Sequence, residues 1–359
     1  MTSNAAVAVA EFTRGIEFPD EAWRSRAYAH LDTLTKPLGS LGRLEQLAAQ
    51  MVAIRRDHVA LPLSKAVYVF AADHGVTAEG VSAYPSAVTQ QMVLNFLNGG
   101  AAVNVLARLH HVALNIVDVG VDAEFSDAPR LLHHKVCKGT RNMLREAAMT
   151  DEEMSEALRV GAQLADDAAR AGHQVIAVGE MGIGNTTSAS AITCALTGAA
   201  PSLATGRGTG IDVDTHARKI SVVDAALSKH FQSQTGLSPI DILRCVGGLE
   251  IAAMTGMILR AACNRTAIIV DGFISTAAAA IAFALEPRVQ GYLIAGHRSE
   301  EPGHALLLDH LELPPILTLE MRLGEGSGAV LAMPIVESSI AMYSQMATFA
   351  AAGVSEASS

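Results

Sequence analysis

Short apolar runs recur along the chain, and each is followed by glycine or polar residues and then by a helical pattern. Runs of this length, rich in β-branched residues, are typical of buried strands. Because strands alternate with helices, the pattern predicts an α/β fold, with a doubly wound, mainly parallel sheet of about six strands. The predicted strands are Ala66–Ala71, Ala113–Val119, Gln174–Val178, Ala267–Val270, Gly291–Ala295 and Pro315–Leu319.

The two ends of the chain lack a strand pattern. Residues 1–60 predict helices, for example around Leu41–Ile54, and the segment after Pro334 is also helical. We expect residues 1–60 and 334–359 to pair as a small helical domain beside an α/β domain of residues 61–333, which would carry the catalytic site.

The composition indicates which kinds of partner the protein can bind. The net charge of −10 argues against a nucleic-acid partner, since phosphate backbones are bound through clustered Lys and Arg. A single phosphate group remains possible, because backbone amides at a helix start can hold it. The most apolar stretch, Ala267–Leu285, contains Asp271 and ends at Glu286-Pro287, so it predicts a strand and a helix rather than a membrane span.

Neither the cysteines nor the N-terminus suggests export. The four cysteines are scattered without a CxxC pair, which is typical of reduced thiols. The N-terminal apolar run has no basic stretch before it, so we expect no signal peptide and a cytoplasmic protein without membrane association.

A glycine-rich segment, Gly179–Thr187, follows one predicted strand and opens an alanine-rich helix. Amides at such a helix start favour an anion, and Asn185 and Thr186 can cap the helix or donate to phosphate oxygens. Glu180 suits ribose hydroxyls, whose protons it can accept. A plain strand-to-helix turn explains this segment equally well when it is taken alone.

A second glycine-rich loop, Gly206–Asp212, is followed by Lys219, which can supply a point charge to a phosphate. A solvated surface lysine is the ordinary alternative. Asp73-His74-Gly75 ends the first predicted strand, and the loop and helix beyond it carry Ser82, Tyr84 and Gln90, which suit a flat, partly polar heterocycle. His74 has no second ligand at metal-binding spacing, so we expect no metal.

Glu325 lies between glycines after the last predicted strand and before a helix beginning near Ala329. A poorly solvated carboxylate there would have a raised pKa and suit general-base chemistry. The alternative is an acid that only complements the helix dipole. After the fifth strand, His297, Arg298 and His304 are expected to line the same crevice, without an assigned role.

Together these segments resemble the nicotinate-nucleotide–dimethylbenzimidazole phosphoribosyltransferase family of cobalamin nucleotide-loop assembly. The resemblance extends from about residue 36 to about residue 335. Its segments are Lys36–Gly42, Asp73-His74-Gly75, Gly99–Ala102, Gly139–Asn142, Gly182–Thr187, Val270-Asp271-Gly272 and Arg322–Gly328.

The resemblance implies a homodimer that uses no cofactor and transfers the phosphoribosyl group of nicotinate mononucleotide to 5,6-dimethylbenzimidazole. Nicotinate leaves, and α-ribazole 5′-phosphate forms with inversion. The residues that this implies are the base Glu325, the phosphoribosyl-binding residues Glu180, Gly182, Ile183, Gly184, Asn185 and Lys219, and the base-binding residues Ser82, Tyr84 and Gln90.

Three alternatives stay open at this point. The same donor could serve another base, such as adenine or a phenol. A non-catalytic sensor could bind nicotinate mononucleotide without turnover. A nicotinamide-dependent oxidoreductase could use a similar sheet, but Asp73-His74-Gly75 stands where its fingerprint loop would follow the first strand.

Overall fold

The computed structural model describes residues 4–126, 128–208, 210–231 and 237–355. Its strands are β1 Lys65–Ala72, β2 Ala113–Gly120, β3 Leu131–His133, β4 Val175–Met181, β5 Ala267–Val270, β6 Leu293–Ala295, β7 His297–Arg298 and β8 Leu317–Thr318. Its helices are α1 Asn4–Thr13, α2 Glu21–Leu31, α3 Arg43–Arg55, α4 Ala87–Asn98, α5 Ala102–Leu109, α6 Asp151–Arg170, α7 Asn185–Thr197, α8 Pro201–Ala204, α9 Val213–Phe231, α10 Pro239–Val246, α11 Leu249–Cys263, α12 Phe273–Leu285, α13 Pro302–His310, α14 Ser327–Gln345 and α15 Phe349–Ala352.

Six strands form one sheet in the order β3-β2-β1-β4-β5-β6, and every neighbouring pair is parallel. All eight residues of β1 are buried. Since successive side chains of a strand point to opposite faces, this burial means that helices cover both faces of the sheet. The α/β fold with a mainly parallel sheet is therefore confirmed.

Five of the predicted strands are confirmed, each within three residues at either end. The sixth predicted strand was assigned to the wrong sheet. Residues 317 and 318, within the predicted strand Pro315–Leu319, form β8, which pairs with β7 in a separate two-stranded ladder. The sixth strand of the sheet is β3, which pairs with β2. Only Leu131 of its three residues is buried, so β3 lacks the apolar run that marks the other strands of the sheet.

The apolar stretch 267–285 forms the buried strand β5 and the helix α12, as predicted. Among the described residues, the segment 87–109 is long and apolar enough to cross a membrane by length and composition alone. The structure divides that segment into α4 and α5, with a left-handed turn at Gly99 between them.

The two ends of the chain contact each other. His30 Nε2 on α2 lies 2.8 Å from the carbonyl oxygen of Tyr343 on α14. The amide of Phe349 donates to the carbonyl of Thr33, at 2.9 Å. The predicted boundary between residues 333 and 334 falls inside α14, which continues through Pro334. The division of the chain into two domains stays a prediction.

The strand order reverses between β1 and β4, and this switch point is where open parallel sheets bind ligands, beyond the carboxyl ends of the strands. The loops that follow the two strands touch there. A Cβ atom on Gly182 would lie 2.4 Å from the carbonyl oxygen of Ala72, so only glycine permits this approach.

Candidate active site

A cavity of about 630 Å³ opens at the carboxyl ends of the strands. Its wall combines a glycine-rich turn, acidic groups and a patch of apolar side chains. The described residues that line it are Tyr84, Val88, Met92, Glu180, Met181, Gly182, Ile183, Asn185, Thr186, Gly208, Gly272, Phe273, Ile274, His297, Ser299, Glu301, Arg322, Leu323, Gly324 and Glu325.

The glycine-rich turn at residues 182–184 forms the start of α7, as its spacing predicted. Gly184 is the N-cap residue and has a left-handed backbone, with φ of 96°. Two amides of the turn are already engaged, because Ile183 donates to Thr89 Oγ1 and Asn185 to the carbonyl of Gly182, both at 3.1 Å. An anion here would therefore rely on the remaining amides and on neighbouring side chains.

Lys219 lies on α9 and is only 1% exposed. Its Nζ donates to Thr186 Oγ1 at 2.8 Å and to the carbonyl of Gly206 at 3.3 Å. Burial lowers the pKa of Lys219 to about 8, and the nearby Glu301 partly opposes this shift. Lys219 thus joins the first turn of α7 to the second glycine-rich loop, beside the cavity rather than in its wall. Thr209 of that loop lies outside the described residues.

Glu180 is the penultimate residue of β4 and lines the cavity. The side-chain amide of Asn185 donates to its Oε2. Burial raises the pKa of Glu180 to about 8, and the negative charges of Glu250 and Asp271 add to the shift. A Cβ on Gly324 would lie 2.4 Å from Glu180 Oε1, so the glycine makes room for the carboxylate.

Glu325 stands in a left-handed turn, with φ of 65°, and its side chain is 5% exposed. Its Oε2 finds no hydrogen-bond partner within the described part of the chain. Burial raises the pKa of Glu325 to about 7, against the backbone amide of Val103 and with the help of Asp271. A carboxylate with this pKa can take up a proton near neutral pH.

The three residues predicted to hold a base are not all brought to the cavity. Tyr84 lines it and is 52% exposed. Ser82 instead accepts a hydrogen bond from the amide of Tyr84, at 3.1 Å, and neither Ser82 nor Gln90 is among the described lining residues. Their roles in base binding stay a prediction.

Much of the cavity wall consists of apolar residues that were not predicted from the sequence. Val88 and Met92 lie four residues apart on α4 and so share one helix face. That spacing after Tyr84 is the one signal in the sequence that could have indicated them. Ile274 and Leu323 come from α12 and from the loop before Glu325, and nothing local in the sequence brings these two together.

Other polar groups hold the loops around the cavity. Glu301 Oε1 accepts from the amide of Gly208 at 2.8 Å, and Arg322 donates to the carbonyl of the same residue at 2.9 Å. His297 lines the cavity as expected. Arg298 and His304 are not among its described lining residues, and burial lowers the pKa of His304 to about 3.

His74 is fully enclosed beneath the glycine-rich turn. Its Nε2 lies 2.6 Å from Glu250 Oε1, and its Nδ1 lies 3.1 Å from Ser188 Oγ. No group of three or more His, Cys, Asp or Glu side chains in the described ranges is arranged to hold a metal ion.

The fold and the cavity define the class of the protein: an α/β protein with the strand order of nucleotide-binding sheets and an acidic, partly apolar pocket at the switch point. A family model described as phosphoribosyltransferase matches residues 16–354. The nicotinate-nucleotide–dimethylbenzimidazole phosphoribosyltransferase of Geobacter sulfurreducens is 50% identical over 337 residues, which are 94% of this chain and 95% of the relative.

The enzyme of that name from Chloroflexus aggregans is 48% identical, over 94% of this chain and 95% of its own length. A crystal structure of the enzyme of that name from Thermus thermophilus superposes with a TM-score of 0.88 at 43% identity, over 94% of this chain and all of the other. The chain belongs to the nicotinate-nucleotide–dimethylbenzimidazole phosphoribosyltransferase family, and it is an enzyme.

Proposed function

We propose that the enzyme transfers the phosphoribosyl group of nicotinate mononucleotide to 5,6-dimethylbenzimidazole, as a step in cobalamin biosynthesis. The bond between the anomeric carbon and the pyridinium nitrogen breaks, and its electron pair leaves with nicotinate. A ring nitrogen of the benzimidazole forms the new bond, and the other ring nitrogen loses its proton. The products are nicotinate and α-ribazole 5′-phosphate.

The single observation that carries this proposal is the enclosed Glu325 carboxylate on the cavity wall, with a pKa of about 7. A base of this strength takes the proton of the attacking heterocycle, so that positive charge does not build up on the product ring. The pyridinium nitrogen is already a good leaving group. The site therefore has mainly to align the two reactants and to exclude water.

We place the phosphate of the donor against the start of α7. The amides of Gly182 and Gly184, the hydroxyl of Thr186 and the ammonium of Lys219 are the donors that support this placement. Glu180 then lies where ribose hydroxyls can reach it. Ile183 and Asn185 shape the turn, since their own amides are engaged within the protein.

We place the acceptor base against the apolar part of the cavity. Tyr84, Val88, Met92 and Leu323 offer a surface of a kind that binds a methylated aromatic ring. Ser82 and Gln90 would need to turn toward the cavity in order to contact the base. In its present position Ser82 accepts a hydrogen bond from the amide of Tyr84 and so supports the loop that carries Tyr84.

We further propose a cytoplasmic homodimer. Large apolar side chains on α4 and α5 are exposed in the single chain, among them Leu94 at 43%, Val105 at 52% and Leu109 at 66%. Large apolar side chains left exposed on consecutive helices are typical of interfaces, and a second copy of the chain is the partner that the resemblance implies.

A product assay tests the reaction. Nicotinate mononucleotide is incubated with the enzyme alone and with dimethylbenzimidazole, adenine or a phenol, and the products are identified by liquid chromatography with mass spectrometry. We expect equimolar nicotinate and ribazole phosphate with dimethylbenzimidazole, and little nicotinate without a base. Tight donor binding without turnover on any base would indicate a sensor, and preferred turnover with adenine or a phenol would change the acceptor.

A further inference from the structure

Asp271 is a buried acid to which the proposed reaction gives no role. It follows β5 directly and is 2% exposed. Its Oδ1 accepts from the amide of Ala329 at 2.8 Å, and its Oδ2 accepts from the amide of Gly326 at 3.2 Å. Gly326 is the N-cap residue of α14 and has no side chain with which to cap the helix. Asp271 supplies that cap from a neighbouring strand.

The turn that Asp271 holds is the one that carries Glu325. Gly324, Glu325 and Gly326 all have left-handed backbones, with φ of 82°, 65° and 80°. Glycine adopts this conformation freely, but glutamate does so only where its surroundings enforce it. Two contacts enforce it here: Asp271 binds the amide that follows Glu325, and Gly179 of β4 packs so closely that a Cβ there would lie 2.5 Å from the same nitrogen.

The charges around the turn come from several elements. Glu180 on β4 and Asp271 after β5 carry acidic groups close enough to Glu325 for their charges to interact. His297 on β7 faces Asp271, with Nε2 3.8 Å from Oδ1. Arg322, in the same loop as Glu325, donates to Gly208. Apart from the amide of Val103, the groups that act on Glu325 are therefore acidic.

We propose that Asp271 is a positioning residue for the reaction, which holds the turn 324–326 and thereby presents the Glu325 carboxylate to the cavity. Asp271 touches no reacting atom and acts only through the backbone and through its charge. This inference rests on the proposed function, because it requires Glu325 to take a proton from the acceptor base.

The test compares Asp271→Asn with the matched control Asp73→Asn. Asp73 is also a buried acid at the carboxyl end of a strand, and it also accepts a backbone amide, that of Asp122 at 2.8 Å. It is not among the groups that shift the pKa of Glu325. For each variant, kcat, the KM for nicotinate mononucleotide and the pH profile of kcat/KM are measured.

We expect Asp271→Asn to lower kcat by about 10- to 100-fold, since small misplacements of a catalytic group have effects of this size, with the KM for the donor little changed. The acidic limb of its pH profile should move to lower pH, because a negative charge beside Glu325 is removed. A role in folding alone would not move that limb. Asp73→Asn should keep the limb of the wild-type enzyme.

Wild-type kcat and an unmoved acidic limb in Asp271→Asn would overturn the inference. If this variant does not fold, hydrogen exchange of the wild-type protein decides: the amides of Gly326 and Ala329 should exchange as slowly as those inside α14, and fast exchange would contradict the role. Should Glu325→Gln be inactive while Asp271→Asn is normal, only this inference fails. If the wild-type enzyme makes no ribazole phosphate, the proposed function fails with it.

Discussion

Three buried ionisable side chains, Glu325, Glu180 and Lys219, dominate the chemistry of the site at the scale of single residues. Burial moves the pKa of each toward neutrality, to about 7, 8 and 8. All three groups can therefore gain or lose a proton close to neutral pH. The charge of each group is sensitive to pH between about 7 and 8.

The pH profile of kcat/KM should be bell-shaped. Glu325 acts as a base only when ionised, so activity should rise as the pH increases through about 7. Lys219 loses its charge as the pH increases through about 8, so donor binding should weaken on the alkaline side. Initial rates at low donor concentration across this range measure both limbs. A profile without an acidic limb would contradict the role of Glu325.

Replacing Lys219 by methionine should weaken the binding of nicotinate mononucleotide by about 10- to 100-fold, because a charge-assisted contact with phosphate is lost. Isothermal titration calorimetry measures this directly. Lys229→Met is the matched control, since Lys229 lies exposed on the same helix, α9. Equal donor affinity in the two variants would show that Lys219 does not serve the phosphate.

The sequence could predict site residues only where they lie close, along the chain, to the end of a predicted strand. Glu180 lies at the carboxyl end of β4, Asn185 starts the helix after it, and Glu325 lies in the loop after β8; all three line the cavity. Glu301 could not be predicted, because its contact with Gly208 joins segments 93 residues apart. The role of Gln90 stays a prediction, but Gln90 is not among the described lining residues, because a helix turns successive side chains to different sides and Val88 and Met92 take the cavity face.

At the scale of elements, the apolar pattern predicted β1, β2, β4, β5 and β6, whose residues are mostly buried. It missed β3, in which only Leu131 is buried. It also assigned the predicted strand Pro315–Leu319 to the main sheet. That run forms the short strand β8 against β7, a pairing that depends on the path of α13 and the loop after it rather than on local composition.

The packing of α6 against α11 leaves no room for a side chain at Gly161. A Cβ on Gly161 would lie 1.7 Å from the carbonyl oxygen of Ala253. Gly161→Ala should therefore push the helices apart and lower the free energy of unfolding by about 2–3 kcal/mol, seen as a lower Tm in thermal denaturation.

Gly172→Ala is the control for this change. Gly172 follows α6 and has φ of 79°, but no atom lies within 4 Å of its added Cβ. The free energy of unfolding of Gly172→Ala should fall by only about 1 kcal/mol, which is the cost of placing alanine in a left-handed conformation. A Tm for Gly161→Ala at or above that of the control would contradict the account of this contact.

At the scale of the whole molecule, the cavity lies between elements drawn from most of the chain, and the two chain ends contact each other through α2, α3 and α14. The sequence predicted that the ends would meet from their shared helical pattern. It also predicted a helix from near Ala329 and a helical segment after Pro334, but not that the two form one helix, α14, which begins beside the site at Ser327 and ends at Gln345 in the C-terminal segment.

The proposed homodimer predicts the molar mass of the enzyme in solution. Light scattering after size exclusion should give about twice the 37.5 kDa of one chain. Val105→Glu should lower that mass toward the monomer, because a charge replaces an exposed apolar side chain on α5. Val354→Glu, at a similarly exposed position near the C-terminus, should leave it unchanged. A monomeric wild-type enzyme would contradict the dimer.

The role of Glu325 is tested most directly by Glu325→Gln, which keeps the size of the side chain and removes the base. Turnover with dimethylbenzimidazole at saturating substrates is measured together with the Kd for nicotinate mononucleotide. We expect kcat to fall by about 10²- to 10⁴-fold, the usual contribution of a general base, while the donor Kd stays within about twofold. Wild-type turnover in this variant would contradict the assignment of Glu325 as the base.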